Sequence, residues 1–277
     1  MKSETYPGMN FPKQLPAQKQ NSQPGIESMM NPTPVFQHES YNKQSNRLEG
    51  KVAIVTGGDS GIGRAVSIAF AKEAKGFVEN EGKRCLLISG DIGDEQFCIQ
   101  SVKQVKNEFS KIDILINNSA EQHEQTKIED ITKDQLDRTF KTNLFSAFYL
   151  TKAVLPHFKE GSCIINTTSI TAYKGSQNLI DYSCTKGALA TFTRSLSTNL
   201  AKRNIRVNAV APGPIWTPLI PSSFTEQDVA QFGTDTPMGR AGQPVELAQA
   251  YVFLASDDAS YMTGQTIHIN GGVIING

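Results

Sequence analysis

The fold of this chain is decided by residues 52–65, which read Val52-Ala53-Ile54-Val55-Thr56-Gly57-Gly58-Asp59-Ser60-Gly61-Ile62-Gly63-Arg64-Ala65. The first four residues are apolar and rich in β-branched side chains, which is typical of a short buried strand. Glycines follow, and apolar residues then recur at helical spacing as far as Phe70. The stretch predicts a strand, a tight glycine turn and a helix, in that order.

Glycines between a strand and a helix create a site where a phosphate can bind. They let the backbone approach a ligand closely, and the helix N-terminus supplies unpaired N–H groups and the positive end of the helix dipole. A plain glycine-rich turn is the alternative interpretation. The strand before the glycines and the helix after them favour dinucleotide binding.

Two later segments fit the same sheet. Residues 112–116 form an apolar run that ends in amide and small residues, and residues 205–211 form another that ends in a Pro/Gly turn. In doubly wound sheets, ligands bind at the carboxyl ends of the strands, which is where both segments end. We therefore predict an α/β fold, with a Rossmann-type doubly wound parallel sheet in a single domain.

A possible proton-transfer pair lies further along, where Tyr182 and Lys186 are four residues apart and Ser169 lies thirteen residues before Tyr182. Positions i and i+4 share a helix face, so the Lys186 ammonium can lie beside the Tyr182 phenol. The unperturbed pKa of a phenol is about 10, and a nearby cation lowers it. The pair would then exchange protons near neutrality, although two solvated helix residues show the same spacing.

With these motifs, residues 51–272 resemble the classical short-chain dehydrogenase/reductase family, most closely its bacterial glucose dehydrogenase and general stress oxidoreductase group. The resemblance rests on residues 57–63, residues 182–186 and the stretch Pro212-Gly213-Pro214-Ile215-Trp216-Thr217-Pro218. It implies a catalytic group of four residues, Asn143, Ser169, Tyr182 and Lys186. Without such a role, Asn143 would be a locally bonded helix residue and Ser169 a turn cap.

The resemblance implies hydride transfer between NAD or NADP and the CH–OH or carbonyl group of a small alcohol, polyol or sugar. Tyr182 would exchange the proton with the substrate oxygen, and Ser169 would hold that oxygen by a hydrogen bond. Lys186 would lower the pKa of Tyr182 and bind the nicotinamide ribose, and Asn143 would hold a water. The implied cofactor contacts are Gly57, Asp59, Ser60, Gly61, Ile62, Gly63, Asp91, Ile92, Asn118, Ser119, Ala120, Tyr182, Lys186, Pro212, Gly213, Ile215 and Thr217.

One segment departs from the family pattern. A dinucleotide-binding half needs strand, helix, strand, helix and strand, but only residues 76–82 separate the first helix from the run at residues 83–88. A crossover between parallel strands takes a dozen or more residues, so we predict that the second strand is missing, together with the residue that chooses between NAD and NADP.

The missing strand leaves a position open beside residues 52–56. We expect residues 84–88 to move into it, because an open gap would leave ladder groups unpaired. Asp91 would then shift by about one strand spacing, roughly 5 Å. Glu79 and Glu81 lie where a ribose-binding acid is expected, but we favour the interpretation that they are solvated residues at a helix end.

Composition indicates a soluble enzyme without nucleic-acid, membrane or metal partners. The 277 residues carry no formal net charge and no basic stripe. No apolar run approaches membrane-spanning length, and the N-terminus lacks the apolar stretch of a secretory signal, so we expect neither kind of segment. The four cysteines lack metal-ligand spacing, and we expect them to be reduced thiols in a cytoplasmic protein. They are Cys85, Cys98, Cys163 and Cys184.

Residues 1–46 differ from residues 47–277, which we assign to the catalytic domain. This N-terminal arm is rich in Pro, Gln, Ser and Asn and cannot bury a core alone. It is either disordered or extended across its own or a neighbouring subunit. The resemblance implies a homotetramer. A second hypothesis is a dehydrogenase-like protein with impaired cofactor binding that serves as a non-catalytic assembly or interaction subunit.

Overall fold

The computed structural model describes residues 11–38, 46–73 and 85–275. These residues form a five-stranded parallel sheet in which spatial order follows chain order. The predicted Rossmann-type doubly wound sheet is confirmed. The strands are β1 (Ala53–Val55), β2 (Ile114–Asn117), β3 (Cys163–Thr167), β4 (Arg206–Pro212) and β5 (Thr266–Ile269).

Helices connect the strands, and some of them begin at a side-chain cap. Asp94 accepts the N–H groups of residues 96 and 97 at the start of one helix, and Thr132 caps the next. The helices are α1 (Gly61–Glu73), α2 (Glu95–Phe109), α3 (Lys133–Phe140), α4 (Ser146–Val154), α5 (Thr171–Lys174), α6 (Ile180–Leu200), α7 (Leu219–Ser223), α8 (Glu226–Gln231) and α9 (Pro244–Ala255).

The sheet is covered on both faces. Apolar side chains of α1 and α9 pack on one face in a single buried cluster with β2 and β3. Those of α2, α4 and α6 pack on the other face. Every residue of β2 and β3 is buried, because both strands lie between two helical layers. Their carboxyl ends are therefore held rigidly, and they position the site described below.

Strand β1 lies at the edge of the described sheet. It pairs with β2, and its other side has no partner strand within residues 11–38, 46–73 and 85–275. Residues 85–88 form no strand, and the side chain of Leu87 is 89% exposed. The expectation that residues 84–88 fill the position beside β1 is therefore wrong for residues 85–88. Residue 84, like Glu79 and Glu81, lies outside the described residues.

The reason lies in how residues 85–94 bury their apolar side chains. Ile88 and Ile92 pack against the cluster formed by α2, α4 and α6. The chain then turns, since the Asp91 carbonyl accepts the N–H of Asp94, which caps α2. Two of its apolar side chains, those of Ile88 and Ile92, pack beneath the sheet while Leu87 stays exposed, and the segment enters α2 without joining the ladder.

The described part of the arm, residues 11–38, lies against the domain. The Trp216 indole N–H donates to the Pro32 carbonyl at 2.7 Å, and the Val245 N–H donates to the Val35 carbonyl at 3.0 Å. Leu15 and Met30 are buried in a cluster with Trp216. The boundary near residue 46 remains a prediction.

Two further expectations concern metals and membranes. Within the part of the chain that the structure describes, no group of three or more His, Cys, Asp or Glu side chains is placed to hold a metal ion. The cysteines are free thiols, two of them buried. None of the described helices is both long and apolar enough to cross a membrane.

Candidate active site

The carboxyl ends of β1 and β2 are tied together by Thr56. Its hydroxyl accepts the N–H groups of Asn118 and Ser119 at 2.8 and 3.0 Å, and its carbonyl accepts the Asn118 side-chain amide at 3.0 Å. The loop that begins at Asn118 is therefore fixed beside the glycine turn, as the resemblance implies.

The glycine turn is packed too tightly for other residues. Gly57 has φ +62°, and a side chain at Gly63 would collide with the Gly57 carbonyl oxygen. These positions need glycine, because only glycine takes a positive φ without strain and allows such a close approach. The turn thus presents bare backbone at the N-terminus of α1.

Ser169, Tyr182 and Lys186 come together at the end of β3. Tyr182 and Lys186 lie on the buried face of α6, and the Tyr182 hydroxyl is hydrogen-bonded to Ser169. The Lys186 Nζ lies 5.5 Å from the centre of the Tyr182 ring and donates to the Thr167 carbonyl at 2.8 Å. The predicted neighbours are in place.

Asn143 connects this group to the loop after β2. It lies in a π-helical turn, Lys141–Phe145, between α3 and α4; single π turns inside helices are frequent at functional sites. Its side chain accepts the Glu121 N–H at 2.8 Å and donates to the Glu121 carbonyl at 2.9 Å. It also donates to the Thr185 hydroxyl at 3.1 Å, next to Lys186 in sequence.

Burial controls the proton affinities of the site. It raises the pKa of Tyr182 to about 12, and the hydrogen bond with Ser169 acts in the opposite direction. Burial also lowers the pKa of Lys186 to about 7, because the charged form loses its hydration. Burial has the largest effect on the Tyr182 pKa among the described residues, and the expected lowering of this pKa by Lys186 stays a prediction.

The other predicted cofactor contacts fall into two groups. Gly61 lies against Thr217, so the loop after β4 meets the glycine turn. By contrast, Ile215 is buried in the core beside Gly242, and Ile92 packs beneath the sheet. Asp91 is exposed and pairs with Arg138 at 3.3 Å. Of these four residues, the structure therefore brings only Thr217 to the glycine turn.

Sequence reasoning missed Asp181, a buried acid that holds the start of α6. Its carboxylate accepts the Thr139 hydroxyl at 2.9 Å, the Gln135 amide at 3.0 Å and the Tyr182 N–H at 2.8 Å. An acid directly before Tyr182 was the available signal. It missed Glu27 as well, because the composition of the arm gave no sign that one of its acids is buried at the glycine turn.

The residues present fit a nicotinamide dinucleotide. Within the described residues, the N–H groups of Ile62 and Gly63 have no acceptor at the N-terminus of α1, where phosphate is favoured. Because residues 57, 61 and 63 are glycines, the turn has no side chains there to keep a phosphate away from the backbone. Together with the buried Ser169, Tyr182 and Lys186, this arrangement defines a Rossmann-type, nicotinamide-dependent oxidoreductase.

Comparison with known proteins gives the family. A family model described as enoyl-(acyl carrier protein) reductase matches residues 63–274. Oxidoreductase YhxC of Bacillus subtilis is 62% identical, with 96% of this chain and 98% of the relative covered. General stress protein 39 of the same organism is 58% identical, covering 95% and 98%. The glucose and ribitol dehydrogenase of Daucus carota is 51% identical, also covering 95% and 98%.

Solved structures agree with this result. The 3-ketoacyl-(acyl-carrier-protein) reductase of Brucella melitensis, solved with NADH, is 32% identical with a TM-score of 0.74, covering 81% of this chain and 98% of that one. A short-chain dehydrogenase of Burkholderia cenocepacia, solved with NADP, is 28% identical with a TM-score of 0.75, covering 82% and 98%. The chain belongs to the classical short-chain dehydrogenase/reductase family of NAD(P)-dependent oxidoreductases. The predicted family, enzyme class and cofactor type are confirmed.

Proposed function

We propose that this oxidoreductase acts on the CH–OH or carbonyl group of a small alcohol, polyol or sugar. The observation that carries the proposal is the buried contact of Ser169, Tyr182 and Lys186 at the end of β3. The name of the carrot relative, a glucose and ribitol dehydrogenase, supports the sugar and polyol class. NAD or NADP supplies or accepts the hydride.

The chain's own residues handle the proton. Tyr182 gives a proton to the substrate oxygen in carbonyl reduction and removes one in alcohol oxidation. Ser169, already bonded to the Tyr182 hydroxyl, holds that oxygen within reach. Alcohol oxidation needs Tyr182 as a phenolate, and burial raises the pKa of the Tyr182 phenol. We therefore expect the rate of alcohol oxidation to rise with pH and the rate of carbonyl reduction to fall.

Lys186 and Asn143 support Tyr182 in this proposal. A protonated Lys186 favours the phenolate by its charge and donates to the nicotinamide ribose. Asn143 fixes the loop after β2 against α6 through Glu121 and Thr185, and it would hold the water that links Lys186 to solvent.

The second candidate is a non-catalytic assembly or interaction subunit with impaired cofactor binding. The open side of β1 in the described part of the chain favours it, because the adenosine ribose is normally bound beside that strand.

We further propose a cytoplasmic homotetramer. The free thiols are consistent with a reducing compartment, and the exposed Phe145 and Phe148 near α4 supply apolar surface for assembly.

The test combines binding with turnover. Calorimetric titration with NADH and NADPH should give saturable binding of at least one of them. A panel of polyols, aldoses and aldehydes should then show turnover. Changing Tyr182→Phe should lower kcat by about 10²–10⁴-fold, because the proton-transfer group is removed, while cofactor binding persists. Tyr261→Phe, at an exposed tyrosine, is the matched control. If wild-type protein binds neither cofactor at millimolar concentration, the non-catalytic candidate replaces the enzyme.

A further inference from the structure

Glu27 of the N-terminal arm lies buried at the glycine turn. Its side chain is only 5% exposed. One carboxylate oxygen accepts the Gly61 N–H at 2.8 Å, and the other pairs with the Arg64 guanidinium. An acid from the arm therefore caps α1, some 34 residues away along the chain.

Both oxygens of the Glu27 carboxylate have partners that stabilise its charge. A buried carboxylate is costly unless both oxygens have partners, and here a backbone N–H, a guanidinium and the positive end of the α1 dipole all stabilise it. Arg64 is itself fixed, since its guanidinium also donates to the Asp59 carbonyl. The Glu27–Arg64 pair is neutral as a unit, so it places no uncompensated negative charge beside a pyrophosphate.

The arm reaches Glu27 across the loops that surround the cofactor site. The Gln20 N–H donates to the Pro221 carbonyl at 2.6 Å, and the Gln23 side chain donates to the Gln122 carbonyl at 2.6 Å. Gly25 passes so close to Pro218 that any side chain there would collide with its carbonyl. The arm thus joins the glycine turn, the loop after β2 and the loop after β4.

The Glu27 contact leaves some backbone N–H groups at the start of α1 free to bind a ligand. Glu27 uses the Gly61 N–H, and the Arg64 N–H donates to Ser60. Between them, the N–H groups of Ile62 and Gly63 have no acceptor among the described residues. A carboxylate that competed with the cofactor would be expected on these two groups, but it sits on the preceding one.

We propose that Glu27 is a positioning residue for NAD(P): it accepts the Gly61 N–H directly and is itself held by Arg64, so that the Ile62 and Gly63 N–H groups are kept ready for the pyrophosphate. The inference rests on the proposed function, because it requires a dinucleotide at this turn. The arm thereby supports the cofactor site on the side where the described sheet ends at β1.

The test is the affinity of the full-length protein for NADH and NADPH, measured by calorimetry on Glu27→Ala and Glu27→Gln. Glu27→Ala should weaken binding about tenfold, because a charge-assisted hydrogen bond that holds the turn is lost. Glu27→Gln should weaken it about threefold, since a carboxamide oxygen still accepts the Gly61 N–H. Glu129→Gln, at an exposed acid, is the control and should leave affinity unchanged.

Two additional readouts separate positioning from other roles. At saturating cofactor, kcat should stay near wild type while KM for the cofactor rises. Trypsin should cut the arm of Glu27→Ala faster than that of wild type, because the anchor is lost. Tighter binding in Glu27→Ala would show competition and overturn the proposal, as would unchanged affinity.

The outcome for wild type distinguishes the two proposals. If wild type binds a cofactor and the Glu27 variants bind it equally well, only the role of Glu27 fails. If wild type binds neither cofactor, the proposed function fails and this inference with it. Should Glu27→Ala not fold, judged by circular dichroism, the threefold change in Glu27→Gln decides.

Discussion

The central strands of the sheet, here called the enclosed side, are covered more completely than the edge formed by β1, here called the β1 side. All residues of β2 and β3 are buried, whereas each residue of β1 is only partly buried. The proposed catalytic residues lie on the enclosed side, at the end of β3 and on α6. The glycine turn lies on the β1 side, where Glu27 of the arm caps α1 and residues 85–88 form no strand.

The enclosed side and the β1 side are made rigid by different kinds of contact. On the enclosed side, parallel pairing and two helical layers fix the strand ends. On the β1 side, side chains fix the turn instead, namely Thr56 to the loop after β2 and Glu27 to α1. We therefore expect substitutions in the enclosed side to act mainly on stability and those at the turn to act mainly on cofactor affinity.

The largest predicted difference between the two sides is the loss of unfolding free energy caused by a Leu→Ala substitution on each. Leu115→Ala in β2 should cost about 2–5 kcal/mol of unfolding free energy, because it leaves a cavity in a fully buried cluster. Leu87→Ala should stay within about 0.5 kcal/mol, since that side chain is exposed. Urea unfolding at constant m-value measures both. A comparable cost at Leu87 would show that residues 85–88 pack beside β1 after all.

A second prediction concerns the buried lysine of the enclosed side. The pKa of Lys186 is about 7 in the folded protein, below its ordinary value of 10.5. Between these values the unfolded chain binds more protons than the folded one, so stability rises with pH. From pH 7 to pH 9 the rise from this group should be about 2 kcal/mol.

Lys186→Met should remove that rise, and chemical unfolding at pH 7, 8 and 9 measures it. Exposed Lys103→Met is the control and should keep the wild-type slope. The buried Cys98 and Cys163, with pKa values raised to about 11 by burial, act in the opposite direction above their ordinary value of 9.0 and are unchanged in both variants. An unaltered slope in Lys186→Met would mean that the ammonium remains charged in the folded state.

Sequence patterns predicted the enclosed side well because its strands and helices are indicated by residues close to one another in the sequence. Apolar runs predicted β2 and β4, and the i, i+4 spacing placed Tyr182 and Lys186 on one face of α6. The family resemblance supplied Asn143 and Ser169, and the structure brings both to the same place.

The β1 side was harder to predict because its contacts join residues far apart in sequence. Nothing near Glu27 indicates that it caps a helix beginning at Gly61. The apolar run at residues 85–88 is typical of a strand. The side chains of Ile88 and Ile92 pack against the cluster that contains α2 instead, and the run does not pair with β1. The effect of burial on the Tyr182 pKa was not predicted for a related reason, since the spacing from Lys186 was visible in the sequence and burial was not.

The smallest of these effects is predicted at the point where regular structure resumes after residues 85–88. Asp94 caps α2 by accepting the N–H groups of Gln96 and Phe97 at 2.7 and 3.3 Å. Asp94→Ala should cost about 1 kcal/mol, because two backbone donors lose their acceptor. Asp94→Asn should cost only a few tenths of that, as asparagine caps nearly as well. Asp134→Ala, in the first turn of α3 but not at its cap, is the control.

Urea unfolding of these three variants shows what holds the start of α2. Asp94→Ala can lose stability only if the cap contributes beyond the packing of α2 on α4. A cost equal to that of Asp134→Ala would mean that packing alone fixes the helix. In that case residues 85–88 would be positioned by the packing of α2 on the enclosed side, and the two sides would be less independent than their burial indicates.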